Sequence, residues 1–178
     1  MLIEELDRQS CLELLFRTRR GRLACSQGTQ PYIVPCYFAC DTNYLYGFST
    51  VGKKIEWMRA NPLVCVEIDE VINAQNWMSV VVQGRYEELP DTPEWSMERD
   101  TAHCLLQQEP VWWEPAYAKK AIDEGACSLE PVFYRIRIDK ITGRRATREL
   151  SLGARLSAIN SGEDGWLQKF LRRLHEIA

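Results

Sequence analysis

Six consecutive residues, Ser49-Thr50-Val51-Gly52-Lys53-Lys54, bring together the groups that a bound phosphate needs. They fall where an extended apolar segment gives way to a helical pattern. The first turn of a helix presents unpaired backbone N–H groups and the positive end of the macrodipole, and both favour an anion. Ser49 and Thr50 add hydroxyl donors, Gly52 lets a ligand approach the backbone, and Lys53 and Lys54 add two charges. A phosphate carries roughly −1.5 to −2 charges at neutral pH, so the stretch reads as the seat of a phosphate-bearing small molecule. The competing reading is structural: Ser or Thr ahead of a helix is first of all an N-cap, and two lysines in a first turn are ordinarily solvated. Lysine is nevertheless disfavoured there, because that end of the dipole repels cations, and a bound anion offsets the penalty. The spacing is not the GxxxxGK[ST] of a nucleotide P-loop.

The surrounding pattern supplies the scaffold. Residues 31–69 read as strand, tight turn, strand, helix, strand. In Tyr32 to Asp41 the residues Tyr32, Val34, Cys36, Phe38 and Cys40 share one face, while Ile33, Pro35, Tyr37 and Ala39 share the other. Both faces are largely apolar, which predicts that both are covered. Pro35 cannot donate to a ladder, so it marks a sheet edge, a bulge, or a place where a flat ligand or a partner subunit lies alongside. Asp41-Thr42-Asn43 turns the chain into Tyr44 to Phe48. The helix from Gly52 to Ala60 carries Ile55 and Met58 inward and stops at Asn61-Pro62.

Outside this unit, Ser10-Cys11-Leu12-Glu13 fits a capping box for a helix that buries Leu12, Leu15 and Phe16 and stops at Gly21. A short strand, Arg22 to Ser26, follows. Leu63 to Asp69 is a strand with Val64, Val66 and Ile68 on one side. A polar loop, Glu70 to Asn76, leads to Trp77 and a strand from Ser79 to Leu89, in which Val80 and Val82 face the core. Thr92-Pro93 starts a helix running to about Gln107, and a second short helix follows Pro115. Between them the adjacent indoles of Trp112 and Trp113 cannot both face one core, so they line a pocket or an interface, or pack separately. Val132 to Ile138 alternates cleanly and ends in Thr142-Gly143-Arg144-Arg145. Residues 146–162 read as a polar linker. From Glu163 an amphipathic helix carries Leu167, Phe170, Leu171, Leu174 and Ile177 on one stripe. About six strands joined mostly by short turns, without βαβ alternation, disfavour a doubly wound sheet. They favour a small antiparallel barrel with peripheral helices, in which closure removes exposed edges.

Composition bounds the function. The 178 residues make one domain, or one domain with a helical appendage. The net charge of −3 speaks against a general nucleic-acid surface. The N-terminus has no basic n-region or long apolar h-region, and no apolar run approaches the length of a membrane span. Seven cysteines without CxxC pairing sit mostly in apolar strand patterns, as small hydrophobes do in a reducing cytoplasm. With only His103 and His175, a zinc or haem site has little to draw on, and no metal is expected.

The order and spacing of several short runs resemble a known family. These are Gly21-Arg22-Leu23-Ala24, Pro31-Tyr32-Ile33-Val34-Pro35 with Tyr37-Phe38, Leu45-Tyr46, Gly52-Lys53-Lys54, Asn61-Pro62-Leu63-Val64 with Glu67, Trp77 with Ser79 to Val82 and Gly84-Arg85, and Ile141-Thr142-Gly143-Arg144. Together they are similar to the FMN-binding split barrel of the pyridoxamine 5′-phosphate oxidase superfamily, closest to its nitroimidazole-resistance and flavin-nucleotide-binding branch. The resemblance implies a mainly β fold, a six-stranded antiparallel Greek-key split barrel over residues 1–145, with residues 146–178 as linker and C-terminal helix. It implies a homodimer with FMN at the subunit interface. Lys53 and Lys54, helped by Ser49 and Thr50, would hold the phosphate. Val34, Pro35 and Tyr37 would lie along the isoalloxazine, Phe48 near the ribityl chain, Ser79 on an adjacent strand, and Trp112 or Trp113 on the substrate side. The expected activity is an FMN-dependent oxidoreductase acting on a small planar substrate with NADH or NADPH as donor, and the alternative is a non-catalytic protein that stores or senses FMN. No catalytic acid or base is assigned. The segment Gly47-Phe48-Ser49 lacks the histidine that nitroimidazole reductases often carry there, and the C-terminal Arg/His signature of the vitamin-forming oxidases is replaced by the amphipathic helix.

Overall fold

Alternation of apolar and polar residues with period two governs most of the chain, and an antiparallel sheet follows from it. The computed structural model describes residues 1–108 and 130–148. Its strands are β1 (Leu2–Leu6), β2 (Arg20–Gln27), β3 (Gln30–Tyr37), β4 (Ala39–Cys40), β5 (Tyr44–Thr50), β6 (Leu63–Asn73), β7 (Asn76–Glu88) and β8 (Pro131–Thr147). Its helices are α1 (Arg8–Thr18), α2 (Lys53–Ala60) and α3 (Ser96–Leu106), the last entered through a short 3-10 turn at Pro93–Trp95. The strand order is β3-β2-β6-β7-β8-β5-β4, with β1 added on β8, and all pairs are antiparallel. The two ends of that path, β3 and β4, are successive pieces of one strand interrupted at Phe38. The sheet therefore rolls round until the chain itself joins its edges, leaving a split between β3 and β5. This is the expected split antiparallel barrel, its six strands present, with β4 parted from β3 and β1 added.

The inward set comes from alternate positions: Leu23, Val66, Ile68, Val80, Val82 and Ile136, all at most 3% exposed. Cys11, Leu14 and Leu15 of α1 and Ile55 and Met58 of α2 complete it. Burying an aliphatic side chain of this size contributes about 1.5–3 kcal/mol. A second cluster, Tyr46, Leu89 and Ala102, seats α3 on the outside of β5 and β8.

Several local expectations are corrected. Helix α1 begins three residues early, capped by Asp7, whose Oδ1 accepts from the Ser10 backbone N–H at 2.7 Å. Its buried stripe is Cys11, Leu12, Leu14 and Leu15, and Phe16 is 45% exposed. The helix ends not at Gly21 but with Arg19 in the left-handed region (φ 50°). Gly21 lies in β2, where a Cβ would stand 2.7 Å from the Glu67 carbonyl oxygen, so it is required for close strand packing. Only one face of β3 is covered by the described chain: Ile33 is 63% and Tyr37 36% exposed. Pro35 sits there because, among the described strands, β3 pairs with β2 alone, which makes it an edge. The expected loop at 70–76 is a two-residue connection, because Val71 pairs with Trp77 and Asn73 with Asn76. Thr142 to Arg145 do not end the last strand. β8 continues through Thr147 because its far half is gripped on both sides, by β7 and by β1. Strand β1 itself was not foreseen. Thr92 makes no side-chain cap bond, although Pro93 does open the helical turn. The expected helix after Pro115, Trp112 and Trp113, and the C-terminal helix lie outside the described residues.

Among the described residues no helix is long and apolar enough to cross a membrane, and no group of three or more His, Cys, Asp or Glu is placed to hold a metal ion.

Candidate functional site

Strand β5 delivers the chain to α2. Thr50 pairs with Pro131, and the Val51 backbone N–H donates to the Glu130 carbonyl at 3.1 Å, which fixes where the strand stops. Gly52 is the N-cap in an extended conformation (φ 170°), and as a glycine it brings no side-chain cap of its own. Ser49, only 8% exposed, does not cap: it donates through Oγ to the Thr50 carbonyl at 3.2 Å. The first N–H groups of α2 thus receive no acceptor from their own N-cap residue, as they would from Ser, Thr, Asp or Asn. A Cβ on Gly52 would meet nothing within 4 Å, so the approach to them is open.

Both lysines turn toward the barrel-facing side of β3. Lys53 Nζ lies 4.7 Å from the centre of the Tyr32 ring and 4.6 Å from that of Trp57, two rings packed edge to face at 5.4 Å. At an exposed site each such contact contributes about 0.5–1 kcal/mol. Lys54 is half-buried, and burial pushes its pKa below the ordinary lysine value. Among the described residues the groups that act against that shift are the thiols of Cys36 and Cys25. Those thiols are themselves held protonated by burial, Cys36 up to about 11. A desolvated ammonium with no counter-ion among the described residues, next to a helix start whose N-cap brings no side-chain acceptor, is the electrostatic signature of a site for an anion.

The other expected residues distribute around the split. Val34 lies between Tyr32 and Cys36 on the lysine side of β3, packed against the core. Pro35 and the exposed Tyr37 lie on the opposite face, with Arg20 stacked 4.8 Å over the Tyr37 ring. Thr50 and the half-buried Phe48 alternate with Ser49 along β5, and the Phe48 ring meets that of Phe133 at 4.8 Å. Ser79 is remote. Pro35, Arg22, Glu67 and Val81 form one cross-strand row, and Ser79 lies two residues along β7 from Val81, so three strand spacings (about 14 Å) separate it laterally from Pro35. Arg22, bonded to Glu67 at 3.0 Å and Asp69 at 2.6 Å, stands between. Ser79 lines a different hollow of about 380 Å³ with Glu5, Thr142 and Arg144. The structure therefore gathers Val34, Lys53 and Lys54, keeps Ser49 and Thr50 on the adjoining strand end, and leaves Ser79 apart.

Four residues around the lysines escaped the sequence reading: Tyr32, Trp57, Cys25 and Cys36. Trp57 was accessible in principle, since Lys53 and Trp57 are four apart on one helix face. The other three come from β2 and β3, and no local pattern connects those strands to α2.

An antiparallel split barrel with a cationic helix start beside its open edge is a defined class of fold and site. The family model described as pyridoxamine 5′-phosphate oxidase matches residues 7–145. A FAD-binding protein of Mesorhizobium loti is 44% identical, with a TM-score of 0.68 over 83% of this chain and 99% of that one. An uncharacterized protein of Rhizobium meliloti is 41% identical over 146 residues, 82% of this chain and 97% of that protein. A FAD-binding protein of Mycobacterium smegmatis, 18% identical with a TM-score of 0.59 over 82% of this chain and 100% of that one, shares the fold. The chain belongs to the pyridoxamine 5′-phosphate oxidase family.

Proposed function

We propose that the chain is a flavoprotein that seats the phosphate of FMN on Lys53, Lys54 and the first turn of α2. The observation that carries this reading is Lys54, a half-buried cation at the start of α2 whose pKa is depressed by burial, with no carboxylate of the described residues acting on it. The residues fit the group: two ammonium donors, a helix start whose N-cap brings no side-chain acceptor, and open space at Gly52. The free edge of β3 fits the rest of the molecule, because an edge strand offers unpaired backbone groups and Pro35 leaves no ladder donor unsatisfied there. Val34 on one face and Pro35 and Tyr37 on the other would flank a ring laid against that edge. The FAD-binding relative at 44% identity favours a second form of the same reading, in which the FMN half belongs to FAD.

In this reading two copies associate through the outer face of β3, β2 and β6. Ile33, Pro35, Tyr37 and Leu63 are exposed there around the Arg22 ion pairs, and a contiguous apolar patch of this kind marks an interface. Ser79, remote within one chain, then serves the flavin of the partner.

A bound flavin supplies hydride exchange, and the protein supplies binding, orientation and exclusion of water. Among the described residues the one group shifted toward neutral pH is Lys54, which this reading assigns to the phosphate. Tyr46, Tyr86 and Tyr134 are all pushed up by burial. The proposed activity is accordingly that of an oxidoreductase on a small planar substrate, reduced by NADH or NADPH. The test is optical: FMN-loaded protein bleaches on anaerobic addition of NADH or NADPH and recovers on addition of an electron acceptor. Bound FMN that stays yellow under both donors assigns the protein to storage or sensing, and failure to bind either FMN or FAD removes the proposal.

Lys54 also sets a pH dependence. Its folded pKa lies below the ordinary 10.5, so it loses its proton before an exposed lysine does. A dianion beside it favours the protonated form and raises that pKa. Binding is thus coupled to proton retention: FMN affinity holds at neutral pH and falls as pH rises through the depressed Lys54 value. Affinity measured by flavin fluorescence from pH 7 upward checks this. A flat profile to the ordinary lysine range would show that Lys54 does not meet the phosphate.

A further inference from the structure

The last rung of the β2–β3 ladder holds a cation that the phosphate seat does not use. Arg20 pairs there with Tyr37, and directly opposed residues share a face. The Arg20 guanidinium lies 4.8 Å over the Tyr37 ring, and both side chains are exposed. Tyr37 is five residues along β3 from Tyr32, the ring that receives Lys53. The antiparallel rise puts about 17 Å between those two positions. Pro35 lies between them, two residues short of Tyr37 and on its face. The lysines thus mark one end of the β3 edge, and Arg20 marks the other.

Register explains why Arg20 differs from its neighbours. Strand β6 pairs with β2 only over Arg22 to Ala24, so Arg20 stands two residues beyond that ladder. Arg22 takes Glu67 and Asp69 of β6, and Arg17 takes Glu70. Among the described residues no carboxylate pairs with Arg20, and its contact is the Tyr37 ring. Stacking on an aromatic face holds the guanidinium plane while leaving its N–H edge open, and that planar fork matches a carboxylate through two parallel hydrogen bonds. We infer that Arg20, held on Tyr37, selects the substrate: the flavin site takes a planar aromatic molecule bearing a carboxylate, with the carboxylate on the Arg20 guanidinium. This rests on the flavin site proposed for the β3 edge, beyond whose Pro35 the Arg20–Tyr37 rung stands.

Calorimetric titration of the FMN-loaded protein with benzoate and with its neutral counterpart benzamide tests this without turnover. Benzoate is expected to bind at least about tenfold more tightly than benzamide, the gain of a charge-assisted pair, and added salt narrows the gap. Arg20→Gln removes the preference, while the variant still loads with FMN and keeps its melting midpoint. Equal affinity for the two ligands in the native protein overturns the inference, as does a preference that survives in Arg20→Gln. A native protein that binds FAD more tightly than FMN, and loses that margin in Arg20→Gln, places Arg20 on the second phosphate of the cofactor and overturns it equally. Full FMN loading without a benzoate preference sinks this inference alone, whereas failure to load either flavin removes the flavin site and this inference together.

Discussion

Replacing both lysines with methionine, Lys53→Met with Lys54→Met, lowers the affinity for FMN by about two to four orders of magnitude, at about 1.5–3 kcal/mol for each charged hydrogen bond lost. Methionine keeps the length of the stem, and its thioether sits well against the Tyr32 and Trp57 rings that now hold Lys53 Nζ. The unliganded protein gains or holds its thermal stability, because the desolvated Lys54 charge is removed from a site where burial penalises it. Fluorescence titration and a melting curve on the same sample read both quantities. Weakened binding with an intact melt separates a binding role from a structural one. Unaltered affinity would place the phosphate elsewhere.

The second large effect is structural. Gly84→Ala destabilises the fold by about 3 kcal/mol, the upper end of the cost of overpacking, and lowers the melting midpoint by roughly 6–12 °C for a chain of this size. Gly84 stands at the register shift between Gln83 and Gly84 on β7. A Cβ there would run into the Arg137 carbonyl oxygen and come within 2.7 Å of Ile136 Cγ2. The first obstacle is backbone, held in the β5–β8 ladder by the pairing of Arg137 with Tyr44, so no side-chain rotation relieves it. The control is Gly52→Ala, where a Cβ meets nothing and φ is extended, and the melt of the unliganded protein should barely move. Equal melting of the two variants would refute the assigned packing at the bulge.

How far the sequence disclosed this arrangement depends on the range of the interaction. Alternation is local, and Val64-Val66-Ile68 and Val80-Val82 face inward as the pattern requires. Helix α2 is likewise local, with Ile55 and Met58 buried between the Gly52 start and the Asn61-Pro62 stop. Errors arose where pairing overrode a local signal. Thr142-Gly143-Arg144-Arg145 looks like a turn, yet Gly143 continues β8 because Cys11 and Val80 crowd the space a Cβ would need. Glu70 to Asn76 looks like a polar loop, yet pairing of Val71 with Trp77 extends both strands. Ser10 and Glu13 fit a capping box, but Asp7 is an equally good cap earlier in the chain and takes the Ser10 N–H. Cationic character at Lys53 and Lys54 was legible. That Lys54 is half-buried near Cys25 and Cys36 was not, because those contacts join α2 to strands β2 and β3.

The most direct measurement is a crystal structure of the protein saturated with FMN. The account predicts the phosphate within hydrogen-bond distance, about 2.7–3.2 Å, of Lys54 Nζ and of backbone N–H groups in the first turn of α2, with the ring against the free edge of β3. A phosphate bound away from α2, with both ammonium groups directed into bulk water, would contradict it.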